Sequence, residues 1–311
     1  MTPPTPLAAA LAAEPVVLDG GLATELERRG HDLTTALWSA RLLRDDPAAV
    51  ATVHAAYAAA GAQVVTTASY QATFEGFAQV GIDRPTTRRL LARSVHLARQ
   101  GAPDAWVAGS VGPFGALLAD GSEYTGDYVD RAWAGRPGGG LSVAELRRFH
   151  RPRMEVLAEA GVDVLACETV PAAAEAEALL AESQALGVPV WLSLTTVVGD
   201  DGVVRTRRGE PAVEVFALAA GVQQVVAVGV NCTGPDGVLA GVHAAATSGK
   251  PVVVYPNSGE AWDVAGRRWT GAPLSAADAV PGWVAAGARM VGGCCRTGPE
   301  QVRAIATALR A

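Results

Sequence analysis

Val162-Asp163-Val164-Leu165-Ala166-Cys167, followed by Glu168-Thr169-Val170, a helical run Pro171–Leu186 closed by Gly187, and a second apolar run Val190–Thr195, decide the fold. Val162–Cys167 is short and almost continuously apolar, as a parallel strand covered on both faces must be. The next run has helical character and stops at a glycine, which takes a left-handed C-terminal cap without a Cβ penalty. A strand, a crossover helix and a second strand make one βα unit.

Outward from this unit the pattern repeats along the 311 residues. Strands are predicted at Val16–Asp19, Gln63–Ala68, Trp106–Ser110, Val162–Cys167, Val190–Thr195, Val225–Val230, Val252–Tyr255 and Arg289–Gly292. Helical patterns fall between them at Pro47–Ala60, Thr86–Gln100, Val143–Ala160, Pro171–Leu186, Pro235–Thr247 and Pro299–Leu309, several ending at Gly61, Gly101, Gly161, Gly187 or Gly249. Eight alternations predict an α/β protein with a single (β/α)8 TIM barrel. A doubly wound sheet would carry G-x-G-x-x-G after its first strand, and Asp19-Gly20-Gly21-Leu22 lacks that pattern. No linker divides the chain, so residues 1–13 are taken as an N-terminal tail and 14–311 as the barrel domain.

Composition narrows the function. With 31 acidic and 25 basic side chains the net charge is −6, which offers no basic face for nucleic acid or anionic lipid. No apolar run reaches the ~18 residues of a membrane helix, and the start MTPPTPLAAALAAEP lacks a basic n-region. A cytoplasmic location is expected, with the four cysteines as thiols or metal ligands rather than structural disulfides. Lys250 is the only lysine and precedes the seventh strand, on the non-catalytic side, so Schiff-base chemistry is excluded by position. His54, His96, His150 and His243 lie inside helical patterns, and only His31 falls in a βα connection. Two connections, 112–140 and 196–210, are long enough to be lids or binding loops.

In this architecture the site is built at the C-terminal strand ends. All four cysteines lie there: Cys167 after strand four, Cys232 after strand six, Cys294 and Cys295 after strand eight. Strands six and eight are near neighbours, so three thiols converge, and a soft metal, zinc above all, suits them. Cys167 stands apart and reads as a small buried hydrophobe. Asp19 and Glu168 are strand-end acids that either cap loop N–H groups or hold a substrate ammonium. Gly20 and Gly21 would let backbone N–H groups approach a carboxylate. The glycines around Thr297 offer phosphate a helix N-terminus instead, against the repulsion of two thiolates. A structural zinc in a binding barrel stays open, although such a site wants a fourth protein ligand.

The segments Leu18–Leu26, Leu37–Ala40, Thr67–Ala72, Gly109–Pro113, Asp120–Tyr124, Cys167–Thr169, Gly229–Cys232, Tyr255–Glu260 and Gly292–Cys295 together resemble the zinc-dependent homocysteine S-methyltransferases, in particular the S-methylmethionine-using branch. The resemblance spans essentially the whole chain, with Val197–Arg208 its least typical stretch. It implies that Cys232, Cys294 and Cys295 are the Zn2+ ligands and the catalytic centre. It also implies that Asp19 and Glu168 hold the amino group of L-homocysteine, that the Gly20, Gly21 and Leu22 backbone holds its carboxylate, and that Asn231 adjoins the substrate. Trp38 and Tyr70 would present ring faces to a sulfonium donor. S-methylmethionine or S-adenosylmethionine is the implied donor, with betaine or selenocysteine as alternative donor or acceptor. No cobalamin is implied.

Overall fold

The computed structural model describes residues 5–33, 37–263, 268–270 and 276–311, and gives no side-chain description for Trp38, 261–263 or 268–270. Eight parallel strands form the barrel: β1 Val16–Val17, β2 Val64–Thr66, β3 Trp106–Val111, β4 Val164–Val170, β5 Val190–Leu194, β6 Val225–Asn231, β7 Val252–Tyr255 and β8 Ala288–Val291. Their order around the sheet is β1-β8-β7-β6-β5-β4-β3-β2, and a parallel bridge from Leu18 to Val64 joins β1 to β2 and closes the ring. Each predicted strand is present, with ends shifted by a few residues. β1 and β2 are shorter than expected because Asp19 and the residues after Thr66 have already turned into the rim.

The two-residue period of each strand divides the protein into an inner and an outer core. Val164 and Ala166 of β4 point into the barrel with Ala108, Trp191, Ala227, Val253, Tyr255 and Met290, whereas Leu165 and Cys167 face the helices. The alanines make room for the Trp191 indole, whose Nε1 donates to the Tyr255 hydroxyl at 2.9 Å. Farther up the same inward rows the apolar side chains give way to Ser110, Glu168, Ser193 and Asn231, all buried. The barrel is thus oily below and polar at its C-terminal end.

The supposed tail is part of this core. Residues Leu7–Ala13 form a helix whose Leu7 and Leu11 are buried in the inner cluster and close the N-terminal mouth. Arg289 holds it there by donating to the Leu11 and Ala12 carbonyls, at 3.0 and 3.3 Å. The i, i+4 leucine pair supplies an apolar face that the nearby prolines obscured. Both long connections are structured: 112–140 carries short helices at Gly115–Leu118 and Ser122–Thr125, and 196–210 is a hairpin of Thr196–Val198 with Val204–Thr206. Among the described residues no helix is long and apolar enough to cross a membrane.

Candidate active site and metal centre

Cys232, Cys294 and Cys295 meet at the C-terminal rim with their sulfurs all within 4.8 Å of one another. Cys232 leaves β6 with a left-handed φ of 47°, which costs a residue with a Cβ about 1–2 kcal/mol. Its N–H donates to the Tyr255 carbonyl at 3.3 Å, and its own carbonyl accepts from the Thr195 hydroxyl at 3.4 Å. The loop after β8 is pinned in the same way. Cys294 N–H donates to the Pro256 carbonyl at 2.7 Å, and Cys295 N–H to Asn257 Oδ1 at 3.1 Å.

Cys232 and Cys294 are paired sulfur to sulfur, with Cα atoms 5.8 Å apart, while Cys295 and Cys167 are free. Thiols brought close enough to share a metal are also close enough to couple. Metals take thiolates, so the pair and a metal compete for the same sulfurs, and metal binding requires the reduced form. The donor set fits a tetrahedral thiophilic ion, whose ~2.3 Å metal–sulfur bonds hold sulfurs ~3.8 Å apart and leave a fourth position open. Cys167 is outside the cluster. It alternates with Glu168 and so faces the outer core, where burial pushes its thiol up to about 12.

The two strand-end acids lie beside this centre in the barrel mouth. Asp19 is 3% exposed and accepts from Thr66 N–H at 2.7 Å and the Thr66 hydroxyl at 2.9 Å. Burial pushes its carboxyl up to about 8, against those bonds, and the Glu168 charge adds to the rise. Glu168 is 8% exposed and accepts from the Ser110 and Tyr255 hydroxyls; burial pushes it up to about 7. Two buried carboxyl groups with neutral hydrogen-bond partners and, among the described residues, no ion-paired basic side chain are arranged to receive a positive group.

Other predicted residues take different parts. Gly20 and Gly21 are glycines for packing: a Cβ at Gly20 would stand 2.4 Å from the Thr297 carbonyl oxygen, and one at Gly21 2.6 Å from that of Cys294. The Gly21 N–H is already spent on the Thr297 carbonyl at 2.9 Å, which removes it as a donor to a substrate carboxylate. Leu22 opens the helix Leu22–Arg28, so its N–H has no partner within that helix. Asn231, 1% exposed, is occupied within the protein: Oδ1 accepts from Thr169 N–H and the Ser193 hydroxyl, both at 2.8 Å, and Nδ2 donates to the Thr169 hydroxyl at 2.7 Å. It positions Thr169, whose φ is 60°, immediately after Glu168. The side chain of Trp38 lies outside the described residues. Tyr70 lies over Gly112, where a Cβ would come within 2.7 Å of its ring, and hydrogen-bonds to the Thr169 side chain.

Two residues of the 112–140 excursion escaped the sequence reading. Tyr124 hydrogen-bonds to Cys295, and Glu123 lies beside it with its carboxyl pushed up by burial. Their signal was the segment Asp120–Tyr124, noted for resemblance but not placed at the site. The buried histidines are not at the sulfur cluster. His54 sits in helix Pro47–Ala59, where burial lowers it to about 4, and His150 bonds Glu175 at 2.8 Å and Arg153 at 3.0 Å. The phosphate alternative also weakens, because Gly298 N–H before the last helix is capped by Gln301 Oε1 at 3.0 Å.

A (β/α)8 barrel that gathers three cysteine sulfurs and two buried acids at its C-terminal rim defines the class of barrel proteins with a thiol cluster able to hold a metal. The homocysteine S-methyltransferase family profile matches residues 16–309, and the chain belongs to that family. It is 43% identical to an Escherichia coli homocysteine S-methyltransferase, covering 98% of this chain and 99% of that one. It is 39% identical to a selenocysteine Se-methyltransferase of Brassica oleracea, over 93% and 87% of the two chains. The metallated form of the Escherichia coli homocysteine methyltransferase MmuM superposes with a TM-score of 0.83 at 41% identity, covering 99% of this chain and all of that one. The oxidised form of the same enzyme gives the same TM-score.

Proposed function

We propose that the protein transfers a methyl group from a sulfonium donor, S-methylmethionine ahead of S-adenosylmethionine, to the thiol of L-homocysteine, giving methionine. The observation that carries this reading is the three-sulfur cluster, within 4.8 Å, beside two buried carboxylates at one barrel rim. Cys232, Cys294 and Cys295 would hold Zn2+, which supplies a Lewis acid that lets the acceptor thiol shed its proton at neutral pH. A free thiol of pKa ~8.5 is only about 3% ionised at pH 7, so full ionisation is worth about 30-fold, or ~2 kcal/mol. Alignment of the two substrates must supply the rest, and well-oriented reactants gain about 7–11 kcal/mol.

The residues of the barrel mouth serve that alignment. Asp19 and Glu168 bind the acceptor ammonium and surrender their protons as it enters. Ser110, Thr66 and Tyr255 fix the two carboxyl groups. Tyr70 and Tyr124 line the side from which the donor comes and exclude water around the cation. The homocysteine sulfur forms its bond to the donor methyl carbon as the carbon–sulfonium bond breaks, and that electron pair stays on the departing thioether. No general base is needed at the methyl group.

The test is metal analysis of the reduced protein coupled to a methyl-transfer assay. About one zinc per chain is expected, lost with activity in Cys232→Ala, Cys294→Ala or Cys295→Ala and kept in Cys167→Ala. S-methylmethionine should give the highest kcat/KM, followed by S-adenosylmethionine, with betaine lowest. Betaine turnover without sulfonium turnover, or full zinc in Cys295→Ala, sinks this reading. Selenocysteine belongs in the same assay as a second acceptor, since its selenol would enter the same centre.

A further inference from the structure

Glu123 is a largely buried acid at the rim that the reaction described above does not use. The short helix Ser122–Thr125 sits between Gly121 and Gly126, both left-handed at φ 89° and 67°. Its backbone is pressed onto Gly115, where a Cβ would meet Glu123 N at 2.4 Å. This packing turns Glu123 inward. Its charge acts on the Cys295 thiol and on the Tyr70 and Tyr124 phenols, all groups of the site. Its Oε2 is shielded from solvent and has no hydrogen-bond partner. No basic side chain among the described residues pairs with it, and the nearby Asp120 only adds negative charge.

A buried carboxylate oxygen in this position is destabilising while it lacks a donor, and a ligand with an N–H cation would relieve it. Asp19 and Glu168, within the barrel, already serve the acceptor ammonium in the reading above. Glu123 comes from the 112–140 excursion rather than from a strand end, beside the two tyrosines. A sulfonium has no N–H and cannot satisfy Oε2; an α-ammonium can.

We infer that Glu123 binds the α-ammonium group of the methyl donor and so selects donors that carry an amino-acid end. The inference rests on the sulfonium-donor reading given above. It makes Glu123 a specificity residue, separate from the metal centre and from the acceptor acids. S-methylmethionine and S-adenosylmethionine both present the required group. Trimethylsulfonium and betaine do not.

The experiment compares wild type, Glu123→Gln and Glu123→Asp, all zinc-loaded. S-methylmethionine and trimethylsulfonium serve as alternative donors, or trimethylsulfonium as a competitive inhibitor if its turnover is slow. Glu123→Gln should raise the KM for S-methylmethionine, and its calorimetric Kd, by about 10- to 100-fold, the loss of one charge-assisted bond. Glu123→Asp should recover part of that loss. Trimethylsulfonium constants, homocysteine KM and zinc content should change less than twofold. An equal loss with trimethylsulfonium, a rise in homocysteine KM instead of donor KM, or unchanged donor constants would each overturn the inference while sulfonium turnover by wild type stands. Absence of any sulfonium turnover by wild type defeats the underlying reading itself.

Discussion

Asn231→Ala separates a positioning role from a substrate contact, because the structure gives the two different magnitudes. The substitution deletes three buried hydrogen bonds, from Thr169 N–H and the Ser193 hydroxyl to Oδ1 and from Nδ2 to the Thr169 hydroxyl, at 2.8, 2.8 and 2.7 Å. The hydroxyls can turn to new partners, but the Thr169 N–H is fixed and is orphaned at about 1–3 kcal/mol. Adding the weaker losses, the expected destabilisation is about 2–4 kcal/mol. At ~2.1 cal/mol/K per residue for a chain of this length, that lowers Tm by roughly 3–6 °C. Thr169 then has less to hold it at φ 60°, and its relaxation carries Glu168 away from the Ser110 hydroxyl, raising homocysteine KM by about tenfold, or ~1.4 kcal/mol. Thr169→Gly removes the backbone strain, so the two substitutions should couple by at least ~1 kcal/mol in a double-mutant cycle. Calorimetric melting and steady-state kinetics on all four proteins read both quantities. A large rise in homocysteine KM with unchanged Tm and no coupling would show that Asn231 touches substrate directly, and the positioning argument would be wrong.

Two further outcomes follow from the buried acids. Asp19→Asn and Glu168→Gln should each raise homocysteine KM by about 10- to 100-fold, one charge-assisted bond of roughly 1.5–3 kcal/mol, while zinc content stays at the wild-type level; loss of metal with unchanged KM would refute the assignment. The folded-state values of about 8 for Asp19 and about 7 for Glu168 lie above those of the unfolded chain, ~3.9 and ~4.3. Their contribution to stability is therefore full below about pH 4 and is lost as pH rises through 7 and 8. The Tm of metal-free, substrate-free protein should fall between about pH 4 and 8 and level off above, and the Asp19→Asn variant should show a shallower fall; an unchanged slope in that variant would place the titration elsewhere.

The fold was legible because each barrel strand is buried on both faces and so appears as a bare apolar run, with a glycine closing many of the helices between. The same double burial hides which residues point inward. Only near the C-terminal ends does polarity mark the inner face, and there Glu168 and Cys167 could be told apart by their alternation. The three-cysteine convergence was legible from strand order alone. The purpose of Gly20 and Gly21 was not, because it depends on carbonyls of Cys294 and Thr297, brought against them by barrel closure. The hydrogen bonds of Asn231 were hidden for a related reason: its place beside Cys232 is marked by sequence position, but its partners on β4 and β5 are supplied by register. Glu123 and Tyr124 stayed hidden because a long connection carries no period from which to read direction.

Of the four non-glycine residues with left-handed φ among the described residues, three flank the site: Thr169 after Glu168, Cys232 itself, and Arg296 after Cys295. Such conformations persist only where the surroundings over-determine them, and here the surroundings can be named. Asn231 holds Thr169. Thr24 Oγ1 accepts from Arg296 N–H at 2.9 Å, and Glu260 pairs with its guanidinium at 3.2 Å. For the sulfurs the main support is β7 and the turn after it, which contribute no cysteine. The Tyr255 and Pro256 carbonyls and Asn257 Oδ1 accept from the N–H groups of Cys232, Cys294 and Cys295 in turn. One strand end between β6 and β8, itself without a cysteine, therefore braces the backbone of all three cysteines. The strain at Cys232 is met by hydrogen bonds within the protein, which hold its sulfur beside those of Cys294 and Cys295.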